Sequence, residues 1–563
     1  MQRGDLFRKL VKACVFVKHL SIAVKMDRTY EDAIQALNTL QSNTSALKEI
    51  RRSGQIRQSD RFEKVKEFAA RAKFAVEDID KLAPIHVSGT KGKGSVCAFS
   101  ESILREHGLR TGFYSSPHLV EVRERIRVDG KSISEEKFAH YFWQCWDNLR
   151  QGTNDDMPPY FVFLTVMSFY IFLQEQVDVA IIEVGIGGAF DTTNIIRRPW
   201  ACGVTSLGHD HVAILGGTTE SIAWNKAGIF KCGVPAFTVP QDDISTQVLV
   251  QRAKELKASL KVVPAMSAYP GETVVTLGIE GRHQFQNASL AVQLCRTWLE
   301  QHKKEMNGGK NCSEETETVG NSMETDGPIP LADTFLINTT FKHALAKTYW
   351  PGRSQCIKRE SYTLYLDGAH TPKSIKACSA WFRKRADEEK QDLSGQSAAR
   401  VLIFNCTGER DSRKLLAPLV SCDFDYAVFC TNSVNEESGR NSSDLLDLTA
   451  SVSSKLKRCH ENHESWKLLT GDTGAVPLSD LDRRLRANSI HNSCVFSSVS
   501  DALYCVLAER EPLLTGAEHQ RLPRVLPHSD HVQVVVTGSL HLVGAAMKVL
   551  GPNIVNIFQE DII

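Results

Sequence analysis

The sequence contains no C-x-x-C pair, although it holds 15 Cys. Zinc-ribbon and thioredoxin-type readings fail on that spacing. The cysteine count is odd, and Cys97, Cys295 and Cys505 sit inside apolar runs. Such usage fits reduced thiols in a reducing compartment. Net charge is also missing: 67 Lys and Arg face 66 Asp and Glu, which leaves +1. That balance supplies no field for a nucleic acid and no polyanionic tail. No apolar run is long enough to span a bilayer. The longest, residues 161–173, is interrupted by Thr165 and Ser168 and reads as a buried helix, so stable membrane insertion is not expected. No secretory apolar core precedes the sequons at Asn43, Asn287, Asn311, Asn338, Asn405 and Asn441, which are expected to stay unmodified. What is present is 42% hydrophobic and 24% charged, ordinary globular composition. At roughly 150 residues per domain, 563 residues allow three or four domains or two large ones.

Residues 1–25 carry Arg3, Arg8, Lys9, Lys12, Lys18 and Lys25 against a single acid, Asp5. Apolar residues interleave with these charges, which is the composition of a mitochondrial transit peptide; a plain disordered extension is the alternative. Met26 follows directly and offers a second start. The expectation is two pools, one mitochondrial (matrix and inner-membrane face) and one cytosolic. Asp27–Leu40 then reads as an amphipathic helix.

From Pro84 onward short β-rich runs alternate with helical segments. Ile85–Ser88, Thr111–Tyr114, Val179–Val184, Ala201–Thr205 and Ala236–Val239 read as strands without strict alternation, as parallel strands buried on both faces do. Ser95–His107 and Phe161–Gln174 read as helices. A second rhythm begins near Trp350, with strands at Leu364–Leu366, Val401–Asn405, Tyr426–Cys430 and Val532–Thr537 and a helix over Leu540–Leu550. The fold class is therefore α/β: an N-terminal phosphate-loop domain with a mostly parallel sheet, over 26–345, and a smaller Rossmann-like α/β domain, over 346–563. The polar stretch 302–330 reads as a disordered insertion, and 432–530 contains further insertion-like stretches.

The strongest local signal is Ile85 to Ser95, IHVSGTKGKGS. A strand ends, a glycine-rich loop follows and a helix opens. Gly89, Gly92 and Gly94 let the backbone approach an anion, whose oxygens then face loop amides and the positive end of the helix. Lys93 is placed to reach β- and γ-phosphates. The general pattern G-x-x-x-x-G-K-[ST] is broken, because Gly94 separates Lys93 from Ser95. A glycine turn in a Rossmann-like unit remains the alternative. Glu183 ends an otherwise apolar strand, where parallel sheets form their ligand crevice; it reads as a Mg²⁺ ligand, against a surface carboxylate at a strand edge. His209, Asp210 and His211 end the next strand. Mg²⁺ prefers oxygen, so a capping or loop role for these histidines competes with metal binding. Phe113–Leu119, FYSSPHL, carries two hydroxyls before Pro117 and reads equally as a turn.

Taken together, HVSGTKGKGSVCAF, TGFYSSPHLVEVRERIRVDG, MPPYF, VDVAIIEVGIGGAFDTTNII, LGHDH, KAGIFKCGVPAFTV, WPGRSQ, YLDGAHTPKS, FNCTGERD and VTGSLHLVGAA resemble the folylpolyglutamate synthases of the Mur ligase superfamily. These stretches run in order through about residues 27–550 and resemble the eukaryotic type most, and the broken phosphate-loop pattern is that family's own form. The resemblance implies an ATP-dependent amide ligase acting on reduced folate and L-glutamate. It implies that Gly92, Lys93, Gly94 and Ser95 hold the ATP phosphates, and that Ser116, Glu183 and His211 ligate Mg²⁺. It marks Lys226 as a lysine that relatives carbamylate to bind a second Mg²⁺; unmodified, it would pair with a phosphate or carboxylate. Arg353 and Asp367 match residues that contact ATP phosphate and ribose, Asn287 lies in a segment near the nucleotide, and His370 would approach the incoming glutamate or the γ-phosphate. A monovalent cation is compatible, and a monomer is expected. The linker before Trp350 is the hinge candidate for closure. Gly185–Asn194 and Pro117–Arg125 are candidates for the pteridine pocket by position. Rival readings are a dihydrofolate synthase, another Mur-type ligase, or a nucleotide-hydrolysing switch.

Overall fold

The computed structural model describes residues 28–41, 58–151, 156–271, 275–307, 329–393, 395–408, 410–435, 452–471, 493–508, 510–511, 514 and 529–551. The basic lead 1–25 and the start candidate Met26 lie outside the described residues.

Two sheets organise these residues. The first contains β1 (Ile85–Ser88), β2 (Thr111–Tyr114), β3 (Ile126–Val128), β4 (Lys131–Ser132), β5 (Val179–Glu183), β6 (Ala201–Val204), β7 (Pro235–Thr238) and β8 (Ser259–Val262), in the order β4-β3-β2-β5-β1-β6-β7-β8. All neighbours are parallel except β2–β3 and β3–β4. The second contains β9 (Gln355–Lys358), β10 (Tyr362–Asp367), β11 (Ala398–Phe404), β12 (Tyr426–Cys430), β13 (Ser493–Phe496) and β14 (His531–Thr537), in the order β13-β12-β11-β14-β10-β9. Only β9 runs antiparallel. The expected fold class holds in both halves.

Every residue of β1, β2, β5 and β6 is buried, which explains why their sequences lack alternation. The helix Tyr160–Gln174 is apolar on all sides because it is enclosed. Its Phe163, Phe169 and Phe172 pack in one cluster with Phe138, Phe142 and Trp146 of the helix Glu135–Arg150. Each such ring contributes about 1.5–3 kcal/mol by leaving water. On the other face, Trp298 of the helix Arg282–Met306 is fully buried and its indole N–H donates to the Ala83 carbonyl at 2.8 Å.

One expectation is corrected. The insertion expected from 302 begins later, since the helix continues to Met306; its i,i+3/i+4 apolar face holds Trp298 and Cys295 in the core and carries the polar end outward. Residues 308–328 lie outside the described set. Within 432–530, the helices Val452–Thr470 and Val499–Leu507 and the strand β13 are regular parts of the second half, since Trp466, Leu503 and Phe496 are buried there. All 13 described cysteines are free, as expected for a reduced protein. No described helix is long and apolar enough to cross a membrane.

The halves meet through loops that follow strand C-termini. Leu119 joins the apolar cluster of the second half, beside Leu542 and Val543. Gly544, in the helix Leu540–Leu550, packs so close that a Cβ there would overlap the Leu119 carbonyl oxygen. Trp381 donates its indole N–H to Glu280 at 2.7 Å, and Arg385 pairs with the same carboxylate at 3.3 Å.

Candidate active site

β1 lies between β5 and β6, so the loop after it emerges where neighbouring strands also end. The loop is pinned to the β6 end: Thr90 and Lys91 donate their backbone N–H groups to the Ser206 carbonyl at 3.0 and 3.2 Å. Gly92 has φ +96° and starts the helix Lys93–Glu106. A side chain there would strike the Asn287 carboxamide, so the glycine permits both the left-handed turn and the close approach. Asn287 is buried and donates to Gln284 at 2.8 Å. Gly94 and Ser95 fill the first helical turn.

Lys93 Nζ lies 3.9 Å from Glu183 Oε1. Glu183 is the last residue of β5, opposite Val87 of β1, and is 5% exposed. Burial raises its pKa, opposed by Lys93, the Ser116 N–H and Arg353. Its carboxylate accepts one hydrogen bond, from the Ser116 N–H to Oε2 at 3.1 Å. Lys93 stands beyond hydrogen-bond distance, so a deeply buried anion retains unused acceptor capacity. A hard oxygen-seeking cation suits that surplus, and Ser116 lines the same cleft. Among the described residues no group of three or more His, Cys, Asp or Glu is gathered to hold a metal. The expected set contains only two such residues, Glu183 and His211, so water and phosphate oxygens would complete the shell. His211 sits at φ +51° before the short helix Val212–Leu215, exposed, in the field of Asp210 and of Lys93, Lys226 and Lys91.

Lys226, 2% exposed, ends the helix Thr219–Ala227 and donates its ammonium to the Gly89 carbonyl at 2.8 Å. Burial, with Lys93 adding, pushes its pKa down to about 7. Its backbone carbonyl accepts from the Ser88 hydroxyl at 2.8 Å. A depressed amine is partly neutral near pH 7 and is correspondingly nucleophilic.

Arg353 follows the linker into the second half and feels both Asp367 and Glu183. Asp367 ends β10 and accepts from the Ser354 N–H at 2.8 Å and the Ala369 N–H at 2.9 Å. It thereby ties the Arg353 loop to the loop carrying His370. Trp350 faces the first half: its ring lies 5.2 Å from Phe113, under the Arg127 guanidinium at 4.7 Å, and against Gly94. A cleft opens between these elements, lined by Gly94, Ser116, Leu119, Glu183, Trp350 and Arg353, among others. From the 117–125 candidate, Pro117, His118 and Leu119 belong to its wall, and Arg125 donates to His118 at 3.0 Å. In the other pteridine candidate, Asp191 accepts from the Ile186 N–H at 3.0 Å and from the Thr193 hydroxyl at 2.6 Å.

His370 does not stand alone at the seam. Its Nε2 lies 2.7 Å from Lys91 Nζ, and Lys91 donates to Asp210 at 2.8 Å. The sequence reading named Asp210 between its two histidines without giving it a role, and passed over Lys91 although it lies in the glycine loop. His283, in the field of Asp367 and Arg353, escaped it too.

No protein-family model matches the chain. The mitochondrial folylpolyglutamate synthase of Bos taurus is 43% identical over 556 residues, covering 94% of this chain and 93% of the relative. That of Homo sapiens is 43% identical over 550 residues, with 93% and 92% covered. Among solved structures, E. coli FolC in complex with DHPP and ADP has a TM-score of 0.56 at 23% identity, covering 87% of this chain and 92% of that one. The bifunctional folylpolyglutamate synthase/dihydrofolate synthase of Yersinia pestis, complexed with AMPPNP and Mn ion, has a TM-score of 0.57 at 24% identity, covering 87% and 93%. At these identities the structural likeness is one of fold.

Proposed function

The chain belongs to the folylpolyglutamate synthase family, and from that premise we propose how its residues carry the reaction. It is an ATP-dependent ligase that adds L-glutamate to folates, building a γ-linked polyglutamate tail. The reading is carried by 43% identity over 94% of the chain, joined to a cleft lined by Glu183, with Lys93 3.9 Å from that carboxylate.

Gly92, Lys93, Gly94 and Ser95 hold the ATP phosphates, Asn287 backs the loop, and Arg353 and Asp367 serve the nucleotide from the second half. Glu183, Ser116 and His211 would hold a divalent cation, Mg²⁺, and Lys226, once carbamylated and so no longer an ammonium donor to Gly89, would hold a second. When bound, the cation offsets charge between two anionic reactants. The protein's own contribution is to bring those anions together. At an effective dielectric of about 20, two unit charges 4 Å apart repel by about 4 kcal/mol, which the Lys93 ammonium and the helix N-terminus counter. The terminal γ-carboxylate of the folate attacks the γ-phosphorus, the bond to ADP breaks, and an acyl phosphate forms. The α-amine of glutamate then attacks the acyl carbon, loses a proton, and expels phosphate. His370 meets the incoming amino acid. Trp350 and Leu119 wall the cleft, and closure about the linker before Trp350 excludes water from the acyl phosphate.

We propose that the halves divide near residue 346 and that the chain acts as a monomer. We propose that the 1–25 lead addresses one pool to mitochondria while a start at Met26 leaves a cytosolic pool. Undiminished import of a 1–25 deletion would refute that address. Mass spectrometry of tetrahydrofolate incubated with ATP, Mg²⁺ and glutamate tests the activity, and successive glutamyl additions are expected. Conversion of dihydropteroate without tail growth on tetrahydrofolate would favour the dihydrofolate synthase reading.

A further inference from the structure

The phosphate loop carries two lysines, and they point to different tasks. Lys93 lies 3.9 Å from Glu183, which lines the cleft. Lys91 instead ties its loop to two other segments, those after β6 and β10. Its backbone is fixed first: its N–H donates to the Ser206 carbonyl at 3.2 Å, and its own carbonyl accepts from the Ser206 hydroxyl at 3.4 Å. Its ammonium then donates to Asp210 Oδ2 at 2.8 Å, in the loop after β6, and to His370 Nε2 at 2.7 Å, in the loop after β10. Asp210 is held in turn, because Oδ1 accepts the His211 N–H at 3.0 Å.

His370 is anchored on its other side. Its backbone N–H donates to the Ser374 hydroxyl at 3.2 Å, and Nδ1 lies 2.9 Å from the Gly368 carbonyl. A carbonyl only accepts, so Nδ1 carries the proton; in the neutral ring Nε2 then presents a lone pair, 2.7 Å from Lys91 Nζ and 3.8 Å from Asp210 Oδ2. An ammonium is the donor that lone pair requires. The ring is thus fixed in tautomer from the second half and in direction from the first. Lys91 and Asp210 are both partly shielded, with 28% and 12% side-chain exposure, which strengthens the contact relative to a surface pair.

We propose that Lys91 is a positioning residue that, braced by Asp210, aims His370 across the seam at the incoming amino acid. The role rests on the reading above, in which His370 meets glutamate. Lys91 acts through His370 and leaves the phosphates to Lys93.

Steady-state folate-dependent ADP release separates these roles. Lys91→Met keeps the side chain's length and removes its charge. It is expected to raise KM for L-glutamate about tenfold or more, the scale of one charge-assisted hydrogen bond, with KM for ATP nearly unchanged. Lys91→Arg restores a donor and is expected to recover most of the loss. Adding Lys91→Met to His370→Ala is expected to do no further harm, since the strut then has nothing to aim. A parallel rise in KM for ATP, additive losses in the double variant, or an unaltered KM for glutamate overturns the proposal. Should Lys91→Met not fold, Asp210→Asn tests the brace from its other end, and a wild-type KM for glutamate there overturns it as well. Absence of folate-dependent ADP release from the wild-type protein would instead sink the assigned activity.

Discussion

Gly544 offers a test of whether the seam between the halves sets the chemistry. In Gly544→Ala the new Cβ would lie 2.6 Å from the Leu119 carbonyl carbon and nearer still to its oxygen. Ordinary contacts begin near 3.4 Å and the oxygen would lie far inside that distance, so either the helix Leu540–Leu550 or the 117–125 segment must retreat by more than an ångström. The segment has little freedom: Glu124 accepts the backbone N–H groups of Leu119, Val120 and Glu121 at 2.8–2.9 Å. The displacement therefore passes to the seam, where Leu119 and Leu540 both line the cleft. A misplacement of about 1 Å at a site of this kind costs about 10²-fold in rate. Local helix propensity works in the opposite direction, because Ala is better than Gly in a helix interior by about 0.8–1 kcal/mol. The expected result is a folded protein with a near-normal Tm and kcat/KM lowered by about 10²-fold. Thermal unfolding and folate-dependent ADP release are measured on the same preparation. A folded variant with activity within about twofold of wild type would refute the reasoning.

Other perturbations probe single groups. Lys93→Ala removes the cation nearest Glu183; kcat is expected to fall about 10²–10³-fold with the fold intact by circular dichroism, and full activity would refute the phosphate role. Glu183→Gln removes the buried anion; the Mg²⁺ concentration for half-maximal activity is expected to rise at least about tenfold, and an unchanged Mg²⁺ titration counts against the assignment. His86 is fully buried, and burial, with Lys231 adding, pushes its pKa down to about 3. Below the ordinary value of 6.5 the unfolded chain takes a proton that the folded one refuses. Stability conferred by the neutral ring is therefore complete above pH 6.5 and is lost, by up to about 1.4 kcal/mol per pH unit, as pH falls toward 3. His86→Asn does not titrate, so its urea-unfolding free energy is expected to vary less between pH 6.5 and 5; parallel curves would contradict the linkage.

The parts of the fold legible in the sequence were those with strong contrast. Fully enclosed strands such as β1, β2 and β12 stand out as short apolar runs, and their bounds agree with the sequence reading to the residue. The strand pair β3–β4 is hidden because it holds five residues at a sheet edge, with Lys131 exposed. The helix Val452–Thr470 is hidden because most of its surface is polar and only a few residues, Cys459 and Trp466 among them, are buried. At the site, Lys93 and Glu183 are legible because a charge beside apolar residues at a strand end demands a reason. The meeting of Lys91, Asp210 and His370 is not, since it joins positions 119 and 279 residues apart. Only the packing of two sheets brings them together, and no local periodicity encodes it.

Trp350 has a mechanical consequence. Its indole is wedged between Phe113, Arg127 and the first turn of the helix that bears Lys93. Any rotation of the second half about this ring would lever the turn on which the triphosphate would rest. Nucleotide occupancy and inter-half angle would then be thermodynamically linked variables. By reciprocity, whatever free energy ATP spends on changing the angle, a fixed angle returns as altered ATP affinity.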